Sequence, residues 1–102
     1  MWYKLEGKNP VPIDGDCRRE DEVTHKRVAL DHLDNGYIVS TVFMGLDHGD
    51  GVTLEVFETM VFPEGSWFDL DCERYATWKS AERGHIDMVD KWSKMESGKS
   101  YG

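Results

Sequence analysis

Four side chains of this sequence could do chemistry together if the fold brings them close. Asp47 and His48 lie in a polar segment rich in glycine, Glu58 lies in an apolar run, and His85 lies on a helix-like stripe. An imidazole beside a carboxylate is the pairing that general acid–base catalysis uses. The alternative is that they are ordinary turn residues and hydrogen-bonded core residues. A nucleotide-binding site or a weak hydrolase at Asp47, His48, Glu58 and His85 is therefore the alternative function, and no catalytic residue is assigned.

The spacing of these residues does not favour a metal site. A calcium loop needs carboxylates at alternate positions and a glutamate about a dozen residues from the first ligand. Asp47 and Glu58 fit that span, but Thr53 and Leu54 do not supply the ligands between them. A zinc site usually contains a closely spaced ligand pair, and the sequence has no HxH, HxxxH or CxxC. We therefore predict neither a metal nor a cofactor.

A second group of residues is typical of a binding surface. Trp67, Phe68, Arg74 and Tyr75 lie within nine residues of one another, and acidic residues alternate with them. Tryptophan, tyrosine and arginine are the residue types that anchor protein interfaces. The acidic residues suit a basic partner. The alternative is that Trp67 and Tyr75 close the core where this segment leads into a helix.

Composition limits the classes of function. The chain has 102 residues, of which 39% are hydrophobic, and 20 acidic residues against 12 basic ones give a net charge of −8. This length indicates one domain. The negative charge argues against direct nucleic-acid binding and against anionic membranes, because phosphate surfaces need a basic face. Cys17 and Cys72 lack close cysteine partners and no export signal precedes them, so we expect reduced thiols in a cytoplasm.

Strand-like segments dominate the first two thirds of the sequence. Residues 2–5 and 11–13 predict a short N-terminal pair, and residues 27–33 and 37–44 predict a hairpin around Asn35-Gly36. Asn-Gly is typical of a two-residue type I′ turn. That turn would pair His32 with Val39 and place Leu30 opposite Thr41.

The strand predicted for residues 52–62 has two different faces. One face carries Glu58 among Leu54, Val56, Met60 and Phe62, and this face is the expected core side. A carboxylate among apolar neighbours needs a partner, or its pKa rises. Residues 67–74 are expected to be irregular, and the charged run 17–26 could be a surface helix or an ordered loop.

The last third predicts one amphipathic helix. Thr77 is a good N-cap, and apolar residues then recur at steps of three and four, which is the helical period. Trp78, Met88 and Trp92 are expected to be buried. Gly84 disfavours the helix by about 1 kcal/mol relative to alanine, which indicates close packing on the sheet. The fold class is therefore α+β: an antiparallel sheet of three to five strands with one long C-terminal helix on one face. Residues 1–96 form a single domain and residues 97–102 form a frayed tail. Both sheet faces are apolar and only one helix can cover them, so a homodimer is credible.

Three segments carry a resemblance to a known group. They are Val39-Ser40-Thr41-Val42-Phe43-Met44-Gly45-Leu46-Asp47-His48, Phe57-Glu58-Thr59-Met60-Val61-Phe62 and Arg74-Tyr75-Ala76-Thr77-Trp78-Lys79-Ser80-Ala81-Glu82-Arg83-Gly84-His85. In this order they resemble a group of small proteins, usually labelled hypothetical, that tailed bacteriophages and prophages encode. The resemblance implies a phage origin and expression in the host cytoplasm, and it implies no activity.

The expected function is that of a small, non-enzymatic phage accessory protein. Such a protein would bind a host protein and inhibit or redirect it, in host takeover or in counter-defence. A second alternative is a minor virion or assembly component. The size, the acidity and the segment from Trp67 to Tyr75 favour a binding function over these alternatives.

Overall fold

Two antiparallel sheets and one helix form the part of the chain that the structure, a computed structural model, describes: residues 3–13, 26–45, 54–66 and 68–95. The strands and the helix are β1 (Tyr3–Glu6), β2 (Asn9–Pro12), β3 (Lys26–His32), β4 (Tyr37–Phe43), β5 (Phe57–Pro63), β6 (Asp71–Tyr75) and α1 (Trp78–Ser93). β1 and β2 form their own sheet, while the larger sheet has the order β3-β4-β5-β6. Helix α1 packs against all four strands of the larger sheet. The predicted α+β class is confirmed.

Several sequence-based predictions lie outside the described residues. They concern the side chains Asp47, His48 and Trp67, the thiol of Cys17, most of the charged run 17–26 and the tail 97–102.

The β3–β4 hairpin forms, but its predicted turn is wrong. Leu33 and Tyr37 face each other, and the amide of Leu33 donates to the carbonyl oxygen of Tyr37 at 2.8 Å. The loop therefore has three residues, 34–36, rather than two. Gly36 has a φ of 93°, whereas Asn35 has no positive φ. A turn closed by one left-handed glycine is the usual geometry of a three-residue hairpin loop.

The longer loop moves the strand register by one residue. Val39 pairs with Asp31 and Thr41 pairs with Ala29, rather than with His32 and Leu30 as the sequence predicted. Since side chains alternate across a strand, a shift of one residue exchanges the two faces of β3. The shift places Asp31 on the face beneath α1. A β-bulge between Arg27 and Ala29 interrupts the register near the start of β3.

The core side of β5 is the reverse of the prediction. Phe57, Thr59 and Val61 are fully buried, and they share the face that α1 covers. Glu58 lies on the opposite face, with Met60 and Phe62. Strand pattern alone could not distinguish the faces, because both are largely apolar. The predicted strand is also too long at its start, since β5 begins at Phe57.

A fourth strand follows where an irregular segment was predicted. β6 pairs with β5 over its whole length, from Asp71 opposite Val61 to Tyr75 opposite Phe57. Among the described strands, β6 pairs with β5 alone and therefore lies at an edge of the sheet. The charged sequence Asp71-Cys72-Glu73-Arg74-Tyr75 is common for an edge strand, because charged side chains discourage unwanted strand pairing.

Both ends of α1 are capped. The hydroxyl of Thr77 accepts a hydrogen bond from the amide of Ser80 at 3.0 Å, so the predicted N-cap is confirmed. At the other end, the side-chain amide of Asn35 donates to the carbonyl oxygens of Trp92 at 2.7 Å and Met95 at 3.1 Å. The hairpin loop therefore satisfies carbonyl groups that a helix end leaves unpaired.

Two clusters of side chains fill the space between α1 and the sheet. One contains Tyr37, Val39, Val61 and Met88, and the other contains Phe43, Val56, Phe57 and Ala81. Met88 is buried as predicted, whereas Trp78 and Trp92 are half-buried and pack at the margins of these clusters. Tyr3 and Leu5 of β1 extend the second cluster, which ties the small sheet to the larger one.

Candidate functional site

A chain of polar side chains runs through the core beneath α1. The Nε2 atom of His85 lies 2.7 Å from the Oδ2 atom of Asp31, and its Nδ1 atom lies 2.7 Å from the hydroxyl of Thr41. That hydroxyl lies 2.5 Å from the hydroxyl of Thr59. His85, Thr41 and Thr59 are buried, whereas the side chain of Asp31 is 54% exposed. These hydrogen-bonded side chains therefore extend from the surface to the centre of the molecule.

The hydrogen bonds that join these four groups can all run in one direction, from the hydroxyl of Thr59 to the carboxylate of Asp31. An ionised carboxylate only accepts hydrogen bonds, so Nε2 of His85 donates to Asp31. In the neutral imidazole, Nδ1 then accepts from the hydroxyl of Thr41, and Thr41 accepts from Thr59. Buried polar groups that are bonded in this way cost little, whereas an unpaired one is expensive. This arrangement lets two threonines and a histidine occupy an otherwise apolar core.

The arrangement has the donor order of a catalytic triad but not its access. A nucleophile must reach the substrate, and the hydroxyl of Thr41 belongs to a residue with no exposed surface. The burial of this hydroxyl keeps it from a substrate, while its hydrogen bonds support the core.

Glu58 belongs to a different cluster, on the opposite face of the sheet. Its carboxylate accepts from Nε of Arg74 at 2.9 Å and from the thiol of Cys72 at 3.3 Å. The pKa of Arg74 is raised by this bond to Glu58. Burial, followed by the adjacent carboxylate of Glu58, raises the pKa of the Cys72 thiol to about 11. Cys72 therefore stays protonated at neutral pH, and a protonated thiol is a poor nucleophile.

The structure does not bring Glu58 and His85 together. The imidazole does meet a carboxylate, but the partner is Asp31 rather than Glu58. Asp47 and His48, the other residues predicted for this ligand site, are outside the described residues. Within the described ranges, no cluster of three or more histidine, cysteine or acidic side chains could hold a metal ion.

The segment leading into β6 exposes large apolar side chains. Phe68 is 81% exposed and Leu70 is 48% exposed. Of the other residues predicted for a binding surface, Arg74 is exposed while bonded to Glu58, and Tyr75 is half-buried. Leu70 was missed, because a single leucine among acidic residues carries no interface signal.

A groove separates β6 from α1. Its volume is about 300 Å³ beside Glu73 and Met88, and a further space of about 400 Å³ continues along the helix toward Ser80. Tyr75, Gly84 and Asp87 line both parts. Along β6, the side chains of Asp71, Glu73 and Tyr75 point to the groove, in the period of two that a strand imposes.

Tyr75 fits under the helix because residue 84 is glycine. A Cβ atom at this position would overlap the phenol ring of Tyr75, so the close packing predicted at Gly84 is confirmed. Burial raises the pKa of the Tyr75 phenol above its ordinary value, and a hydrogen bond with Thr59 offsets only part of this rise. Tyr75 therefore forms the floor of the groove beside the buried polar chain.

Asp71 joins β6 to α1 at one end of the groove. Its Oδ2 atom accepts from Nζ of Lys91 at 2.7 Å and from Nε1 of Trp92 at 3.0 Å. The bond to Lys91 is the largest cause that lowers the pKa of Asp71, and the Trp92 bond acts in the same direction. Glu73, two residues along, is exposed and has no ion-pair partner among the described residues.

No helix in the described part of the chain is both long enough and apolar enough to cross a membrane. Comparison with protein-family models, with curated proteins and with solved structures gives no match.

Proposed function

We propose that this protein is a small, non-enzymatic binding protein of a bacteriophage, which acts in the host cytoplasm on a basic host protein. The observation that carries the proposal is the exposure of Phe68 and Leu70 beside β6, the edge strand of the described sheet. Adjacent apolar side chains that a folded domain leaves in water are a frequent mark of an interface. The phage origin rests on the three resembling segments of the sequence.

Charge supports a basic partner. The net charge of the chain is −8, and Asp69, Glu73 and Asp87 surround the exposed apolar pair or line the adjacent groove. Complementary charge speeds association and selects against wrong partners more than it raises affinity. Phe68 and Leu70 would then supply the apolar contact, while the carboxylates exclude acidic surfaces.

The polar residues favour binding over catalysis. His85 is the buried imidazole of the described fold, and both of its nitrogens are bonded. The Cys72 thiol is protonated, and Glu58 is occupied by Arg74. His85 and Thr41 are also buried, so neither they nor the protonated thiol provides an accessible nucleophile.

The proposal is tested by affinity capture from bacterial host lysate with three immobilised proteins. They are the parent, the double variant Phe68→Ser with Leu70→Ser, and the control Ile86→Ser. Ile86 is 64% exposed on the outer side of α1, between Leu70 and Phe68 in exposure, so the control removes an exposed apolar side chain elsewhere. We expect the parent and the control to capture the same basic protein, identified by mass spectrometry, and the double variant to lose it.

Two outcomes would contradict the proposal. One is the absence of any reproducibly captured protein with the parent. The other is equal capture by all three proteins, which would remove Phe68 and Leu70 from the interface. Unfolding curves of each variant exclude loss of the fold as the cause.

A further inference from the structure

The two edges of the larger sheet differ in how far they are protected. β3 is interrupted by a bulge between Arg27 and Ala29, and bulges are one way in which proteins block an edge. β6 pairs with β5 without a register shift along its five residues. A regular edge strand presents unpaired N–H and C=O groups at alternate positions, which is a template for another strand. Of the two edges formed by the described strands, β6 is therefore the one that can accept another strand.

The groove above β6 provides space for the side chains of an added strand. A strand paired with β6 continues the sheet, so alternate side chains point to the same side as Asp71, Glu73 and Tyr75. On that side lies the open groove between β6 and α1, lined further along by Asp87. Long side chains of the added strand would lie in this groove rather than in bulk water.

The charges beside β6 select the added strand, whereas Lys79 and Arg83 line the part of the groove farther along the helix. Asp71 is already neutralised by Lys91 at 2.7 Å, whereas Glu73 has no ion pair within the described ranges. Opposite charges on directly facing residues of two strands are favourable, and like charges are unfavourable. A lysine or arginine facing Glu73 would form an ion pair with its carboxylate.

The rule on facing charges also argues against pairing between β6 and the β6 of a second copy of the protein. An antiparallel pair of β6 strands centred on Glu73 would place this carboxylate against its own copy. Exposed like charges at that separation repel each other, so the edge is protected from self-pairing while it stays open to a basic segment.

We propose that β6 binds an extended, basic segment of the partner protein by β-strand addition, with a lysine or arginine of that segment facing Glu73 in the groove beneath α1. The inference rests on the proposed function, since it names how the same surface recognises its partner. Main-chain hydrogen bonds would supply the pairing, and the alternate side chains would supply the specificity, as in other cases of strand addition. Phe68 and Leu70, which precede β6, would contact the apolar part of the same segment.

The test uses synthetic peptides of about eight residues, which is an ordinary strand length. The first alternates lysine with valine and threonine. The second replaces every lysine with glutamate. The third keeps the lysines but carries N-methyl groups at alternate amides, which removes hydrogen-bond donors. Binding is measured by titration into the ¹⁵N-labelled full chain, with hydrogen exchange of the backbone amides in the same samples.

We expect the lysine peptide alone to bind, with shift changes and slowed exchange concentrated in residues 71–75. Glu73→Lys should weaken its binding by about tenfold and transfer preference to the glutamate peptide, because the facing charge is reversed. The matched control is Glu82→Lys, which makes the same charge change on an exposed residue of α1 outside this groove.

Four results would overturn the inference: no binding of the lysine peptide, equal binding of the N-methylated peptide, equal weakening by Glu82→Lys, or shift changes confined to β3. Failure here is distinct from failure of the proposed function. If lysate capture depends on Phe68 and Leu70 while no peptide binds, the binding function stands and strand addition is wrong. If the lysine peptide binds but the lysate contains no partner, strand addition stands and the proposed host partner is wrong.

Discussion

Two regions of this molecule depart in opposite ways from the usual rule that apolar side chains are buried and polar ones exposed. Beneath α1, His85, Thr41 and Thr59 are buried and each bonds to the next. At the edge strand, Phe68 and Leu70 are apolar but exposed, and Glu73 stands without an ion pair among the described residues. The first region places polar groups where apolar ones are expected, and the second does the reverse.

This difference shows where function can be sought. A histidine beside an aspartate suggests catalysis when it is read from residue types alone. In this fold the second nitrogen of the histidine bonds to a buried threonine, which indicates that the pair stabilises the core. The exposed apolar pair contributes nothing to the core, which makes a contact with another molecule the better explanation of its presence.

The largest effect that would test this comparison is expected for His85→Ala. Loss of the imidazole leaves the hydroxyl of Thr41 without its acceptor and opens a cavity, so unfolding should become easier by about 3 kcal/mol. Chemical denaturation measures the change. Ile86→Ala, at an exposed position one residue away, serves as the control. Equal stability of the two variants would mean that the polar chain does not support the core.

Gly84→Ala should give the next largest effect. The added Cβ overlaps the Tyr75 ring, and overpacking of this kind costs about 1–3 kcal/mol. In a Tyr75→Ala background the same change should instead stabilise the helix by about 1 kcal/mol, the difference in helix propensity. Thermal unfolding of the four proteins measures both effects. The idea fails if the sign does not reverse between the two backgrounds.

Asp71→Asn should cost about 1 kcal/mol at neutral pH, because it weakens a partly exposed ion pair and a hydrogen bond to Trp92. The pKa of Asp71 is lowered below its ordinary value of 3.8 on folding, so the folded state binds fewer protons than the unfolded chain near that pH. The stabilisation is therefore present above pH 3.8 and is lost as the pH falls through the lower folded pKa.

Denaturation of the parent and of Asp71→Asn across this pH range measures that loss. The two proteins should converge in stability in acid, with the exposed-site variant Asp69→Asn as the control. A stability difference that is the same at all pH values would show that the carboxylate charge is not responsible.

The smallest effect on stability is expected for Phe68→Ser. Its side chain is 81% exposed, and substitutions at such positions usually change the free energy of unfolding by less than about 0.5 kcal/mol. The same denaturation experiment measures it. A larger loss would place Phe68 in the structure of the domain and would remove it from the list of binding residues.

Local sequence determined the elements whose signals are short-range. The period of the apolar residues and the N-cap at Thr77 predicted α1, and the β-branched run 37–44 predicted β4. Both follow from interactions between residues a few positions apart. The close packing at Gly84 was also predictable, because a helix interior disfavours glycine unless a neighbour needs the space.

Only the tertiary structure decided which faces meet. The β3–β4 loop has three residues rather than two, and this single residue places Asp31 under the helix beside His85. β5 could have turned either face to α1, since both are apolar, and the bonded pair Thr41–Thr59 allowed the face with Thr59 to be buried. β6 was missed because its charged residues are typical of a loop, and only the pairing with β5 makes them a strand. Register, the covered face and edge pairing depend on contacts between distant segments, which a local pattern does not contain.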